Sequence, residues 1–144
     1  MASVPADLQW QLLRKHTCFM VKQRGIKKTL TKEPMNLRGV HSFRYNGMIK
    51  KKAADIQAAP DGKGIVIAYK RKGKQNTPAK SVAKITLKQG GRRSLKTVRK
   101  FMKQGGYSYS KLAMRRASRL LQSQKPTSVA KLRPSRKQRI AAAQ

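Results

Sequence analysis

Acidic side chains are nearly absent from this chain: Asp7, Glu33, Asp55 and Asp61 are the only four among 144 residues. Facing them are 36 Lys and Arg, which leaves a formal net charge of +32. Repulsion on that scale opposes a compact state unless a partner supplies negative charge. Cysteine is almost missing as well. A single Cys18 excludes an internal disulfide and any zinc cluster built from several thiolates, and fits a reducing compartment. With four scattered carboxylates, no pair stands at acid–base spacing. No apolar run approaches the roughly 18 residues of a membrane span, and no segment pairs a wide apolar face with a basic one. Met1 to Trp10 has no charged start followed by an apolar stretch, so no secretory signal is expected there.

What the chain does have is positive charge in clusters: Lys22 to Lys28, Lys50-Lys51-Lys52, Lys70 to Lys74, Arg92 to Lys103, Lys111 to Arg119, and Lys131 to Arg139. One such cluster is commonly a solvated face. Six of them with almost no acid between are different, because surfaces built for solubility mix both signs. Nucleic acid is the expected partner: each neutralised phosphate releases a condensed counterion. The mixture suits that task, Arg clamping a phosphate with two hydrogen bonds and Lys acting as a point charge.

Hydropathy gives the frame. Pro5 and Asp7 mark a helix start, with Leu8, Trp10, Leu12 and Leu13 carrying it to about Lys15. Thr17 to Val21 reads as a strand buried on both faces. Val40 to Tyr45 alternates and runs into Asn46-Gly47, the preferred pair of a type I′ hairpin, with Met48 and Ile49 opening the return. A second hairpin is expected at Pro60 to Gly64, leading into Ile65 to Tyr69. Arg71 to Lys80 reads as a mobile loop, and Ala83 to Leu87 as a further strand. The period then becomes helical. Leu95, Val98, Phe101 and Met102 share a face before Gly105-Gly106. Ser110 is placed to cap a last helix with Ala113, Met114, Ala117, Leu120 and Leu121 on one side, Leu112 being the apolar residue out of place. The expected fold is α+β: a small antiparallel sheet with an N-terminal helix, two C-terminal helices and a basic disordered tail. The division is residues 1–126 as an RNA-binding domain and 127–144 as a basic extension.

Sites for chemistry are few. Gly62-Lys63-Gly64 lacks the P-loop spacing and precedes a strand, so it reads as a hairpin turn. His16 and Cys18 stand at alternate strand positions, which does not make a nucleophile and base, and a buried cysteine behaves as a small hydrophobe. Catalytic, cofactor-binding and metal residues are expected to be none, with no small-molecule substrate and no membrane partner. Phe43 and Tyr45 read as packing residues, whereas Tyr107 and Tyr109, in a loop beside two basic helices, divide evenly between packing and stacking on unpaired bases.

Several segments, in order, resemble the eukaryotic large-subunit ribosomal protein family numbered twenty-eight. They are Leu8-Gln9-Trp10, Cys18-Phe19-Met20-Val21-Lys22, Glu33-Pro34-Met35-Asn36-Leu37 and Ser42-Phe43-Arg44-Tyr45-Asn46-Gly47. Ala59 to Val66, Arg115-Arg116-Ala117-Ser118 and Gln124-Lys125-Pro126 complete the set, which covers about Leu8 to Pro126. The resemblance implies a structural, non-enzymatic constituent of the cytosolic large subunit that passes through the nucleolus during assembly. Its partners would be large-subunit ribosomal RNA and neighbouring ribosomal proteins. It also implies kinship with the N-terminal part of a nucleolar assembly factor. Those relatives carry several cysteines arranged for a metal, whereas this chain has Cys18 alone, which favours the resident protein over the assembly factor. The expected RNA contacts are Lys50, Lys51, Lys52, Arg71, Lys72 and Lys74 in loops, with Tyr107 and Tyr109. Arg92, Arg93, Lys96, Arg99, Lys100, Lys111, Arg115, Arg116 and Arg119 would bind from the two helices, and Arg133, Arg136, Lys137 and Arg139 from the tail.

Overall fold

A computed structural model describes residues 4–74 and 77–125. In chain order the elements are α1 (Ala6–Leu13), β1 (Met20–Val21), β2 (Leu30–Thr31), β3 (Ala54–Ala58) and β4 (Ile65–Lys70). They continue with α2 (Pro78–Ser81), β5 (Val82–Leu87), α3 (Gly91–Gln104) and α4 (Ser110–Ser123). The fold is α+β, with two small antiparallel sheets where one was expected: β1 pairs with β2, and β3–β4–β5 form a meander.

The meander is where local encoding is strongest. Gly62 and Gly64 have φ of 71° and 93°, conformations that suit glycine and close the β3–β4 hairpin. The register sets Ile56 opposite Ile67, and Ile67 opposite Ile85, so alternate residues of three strands share one face. On that face lie Ala54, Ile56, Ile65, Ile67 and Leu87, packed against Val98 and Met102 of α3 and Ala113 and Ala117 of α4. The two alanines leave no bulk on α4, so the helix lies close to β3. Leu95 and Phe101 of α3, and Met114, Leu120 and Leu121 of α4, border the same core, as their helical spacing implies. Gln124 then fixes the end of α4. Its side-chain amide donates to the Gly64 carbonyl and accepts from the Gly64 N–H, each at 2.8 Å.

Four expectations need correcting. The strand of Thr17 to Val21 shrinks to Met20–Val21, half-buried, and Cys18 is exposed rather than buried. No hairpin forms at Asn46-Gly47; residues 41–49 run through turns, and Val40 makes only an isolated bridge to Leu30. Tertiary bonding overrides the hairpin signal. The Asn46 amide donates to Glu33 Oε2 at 2.8 Å, and its oxygen accepts from the Met48 and Ile49 N–H groups. The third correction concerns the loop after β4, where Pro78–Ser81 forms one helical turn with proline at its start. Finally, Tyr109, not Ser110, occupies the cap position of α4. The tail lies outside the described residues.

Candidate nucleic-acid interface

α3 buries Ser94, Val98 and Met102, and that choice of face throws its cations outward. Arg92, Arg93, Lys96, Arg99 and Lys100 are all exposed, joined by Lys103. On α4, Lys111, Arg115 and Arg119 follow one another at four-residue steps, all exposed and opposite the buried alanines. Among the described residues, none of these cations pairs with an acid. The acids lie elsewhere: Asp61 meets Lys88, Asp55 meets Arg116, Glu33 is held by amides, and Asp7 is in the first turn of α1.

Arg116 is turned inward instead. Its Nη1 donates to the Leu37 carbonyl at 3.2 Å and lies 3.6 Å from Asp55 Oδ1, a carboxylate buried on β3. It ties α4 to the sheet and to the loop before residue 40. Asp55 is completed by the Ile56 N–H at 2.8 Å and the Gln57 amide at 3.2 Å. The other loop cations stand outside: Lys51, Lys52, Arg71, Lys72 and Lys74 are exposed, with Lys50 half-buried.

The structure brings one subset of these residues together. Arg44, Lys50, Lys52, Gly106, Tyr107, Ser108 and Tyr109 line an open cavity of about 160 Å³ between the loop before β3 and the α3–α4 connection. Lys50 Nζ sits 4.1 Å from the Phe43 ring centroid, and the Arg44 guanidinium 5.8 Å from that of Tyr45. Lys52 Nζ reaches the Gly105 carbonyl at 3.4 Å. Lys70, at the end of β4, shapes this loop from beneath by donating to the Met48 and Lys50 carbonyls at 2.8 and 3.2 Å. Burial lowers the Lys70 pKa.

Both tyrosines of the cavity are also packing residues. Tyr107 stacks on Phe101 at 6.0 Å, with its ring lying where a Cβ on Gly105 would be, and Tyr109 tilts against Tyr45 at 6.2 Å. Burial raises both hydroxyl pKa values, Tyr107 further through its neighbours Tyr109 and Tyr69, so both stay hydrogen-bond donors at neutral pH. Sequence reasoning named Lys50, Lys52 and the tyrosines but missed Arg44 and Ser108; it placed Lys70 and Lys103 at the ends of basic clusters without making them contacts. Arg44 stood in plain view between two aromatic residues, but no local signal tells which loop it faces.

A helix pair whose exposed charges are all basic thus stands beside a cavity lined by cations and tyrosines in a protein of the α+β class. The Ribosomal L28e protein family matches residues 8–123, and the chain belongs to that family. It is 37% identical over 118 residues to "Large ribosomal subunit protein eL28" of Caenorhabditis elegans, covering 81% of this chain and 88% of that protein. The protein of the same name from Schizosaccharomyces pombe is 32% identical over 131 residues, 86% and 96% of the two chains. That of Dictyostelium discoideum is 36% identical over 75 residues, 52% of this chain and 54% of the other.

Proposed function

We propose that this chain is a non-catalytic constituent of the cytosolic large ribosomal subunit that binds and fixes large-subunit ribosomal RNA. The observation that carries the reading is the set of unpaired cations on α3 and α4, held outward by a core that fixes which side of each helix is buried. A-form RNA hides its base edges in a deep narrow groove, so contacts of this kind go to phosphate and sugar and recognise shape. Charge neutralisation at fixed points then holds RNA segments relative to one another. The loops at Lys50 to Lys52 and Arg71 to Lys74 supply further phosphate contacts, and residues 127–144 add the charge of a basic extension. The chain passes through the nucleolus during assembly, and its protein neighbours are other ribosomal proteins.

The test is a tagged copy followed through a high-salt sucrose gradient of its native cells. The unaltered protein should travel with free large subunits, whole ribosomes and polysomes. A copy with Lys111→Glu, Arg115→Glu and Arg119→Glu should leave those fractions, while Arg116, which serves the fold, is kept. Normal incorporation of the triple variant would overturn the assigned face. Appearance only in nuclear precursor particles would instead make the chain an assembly factor.

A further inference from the structure

Building on that reading, we propose that the cavity between residues 44–52 and 106–109 is a subsite for one unpaired RNA nucleotide. Its phosphate would lie among Arg44, Lys50 and Lys52, and its base against Tyr107 and Tyr109. Three cations converge on this concave site, and no acid is among the lining residues. Like charges gathered in a cleft focus a positive potential where an anion settles. Inorganic phosphate would satisfy that charge but leave the aromatic wall unused. A duplex cannot enter about 160 Å³, whereas a single base swung out of its stack can.

The floor is built for close approach. Gly106 has φ of 66°, and a Cβ there would stand 3.3 Å from the Lys52 ammonium. Gly105 is bare for the same kind of reason, since the Tyr107 ring occupies its Cβ position. Tyr107 is backed by Phe101, itself edge-on to Tyr69 at 5.0 Å, so the wall is a supported aromatic stack. Tyr109 is backed by Tyr45, whose hydroxyl accepts from Arg38 at 3.0 Å. Rings held from behind lose little freedom when a base arrives. Ser108, exposed between them, offers a hydroxyl beside the same opening.

The experiment uses the full chain and two fluorescent ligands of equal charge: a short single-stranded RNA, and the same ribose–phosphate strand with every base removed. Stacking should make the intact strand bind about five- to hundredfold tighter. Tyr107→Leu with Tyr109→Leu should bring the intact strand down to the abasic affinity. Those rings support the core, so Ser108→Glu provides a second variant at an exposed position, and its carboxylate should weaken the intact strand by competing for the three cations. Equal binding of both strands, with Ser108→Glu weakening both, would mean a phosphate site without a base and overturn the nucleotide assignment. Equal binding untouched by Ser108→Glu would remove the cavity from RNA binding while leaving the helix faces as the interface. If neither strand binds the unaltered protein even at low salt, the RNA-binding reading itself is overturned.

Discussion

Glu33 is a buried carboxylate whose two oxygens are both taken by side-chain amides, Asn36 Nδ2 at 2.7 Å and Asn46 Nδ2 at 2.8 Å. The amides then spread outward. Asn36 also donates to the Val40 carbonyl and accepts from the Arg38 and Gly39 N–H groups, and Asn46 accepts from two N–H groups beyond it. One side chain thereby organises the irregular stretch from Thr31 to Ile49, which presents Arg44 and Lys50 to the cavity. Glu33→Ala leaves two buried donors without partners, at about 1–3 kcal/mol for each unsatisfied group. Glu33→Gln keeps one acceptor oxygen, so one of the two Asn amides stays paired, whereas Glu33→Ala strands both. Denaturant midpoints should therefore order as unaltered, Gln, Ala. An alanine variant as stable as the parent would show that the network contributes nothing to the fold.

Among the elements, legibility followed locality. The β3–β4 hairpin, β5, α3 and α4 are each written in a short window: two turn glycines before an apolar run, or four apolar residues at helical spacing. The Asn46-Gly47 segment carries an equally strong local signal and does something else. Gly47 is not among the residues of positive φ; it is bare because a Cβ would collide with the Pro34 carbonyl and the Met35 Cβ. Pro34 and Met35 are distant in sequence, so nothing near Gly47 announces the contact. The cavity was half legible for the same reason: charge and tyrosines showed in the sequence, but their meeting depends on how the loop before β3 packs on the α3–α4 connection. That connection has a pH signature. Tyr107 and Tyr109 are raised from the usual 10.0, so their contribution is intact below pH 10 and is lost as pH climbs through the folded values. Lys70 has the opposite sign. Its pKa is lowered from 10.5, so its burial cost is relieved as pH rises through the lowered value toward 10.5. Phenolate absorbance should show a phase above the usual 10.0, and Tyr107→Phe with Tyr109→Phe should abolish that phase. A parent without any such phase would contradict the packing described for these two rings.

At the scale of the whole molecule, α4 works as a ruler. Its 14 residues span about 21 Å at 1.5 Å each. The cavity lies at its first turn, and Gln124 is latched to Gly64 of the β3–β4 hairpin at its last. Lys111, Arg115 and Arg119 stand in a row between these two ends. On the proposed reading, the cavity and the charge of residues 127–144 make separate contacts with RNA. The two ends should then fail independently. Removing the residues after Pro126 should flatten the salt dependence of RNA affinity by about 0.7–0.9 log unit for each phosphate that is no longer neutralised. The truncated chain should still prefer intact over abasic RNA by the parent's ratio, because every residue of the cavity remains. Ser108→Glu should do the reverse, shrinking that preference while leaving the slope carried by the extension. An unchanged slope on truncation would mean that the extension touches no phosphate. A preference that disappears with the extension would mean that base recognition lies there and not between Arg44 and Tyr109.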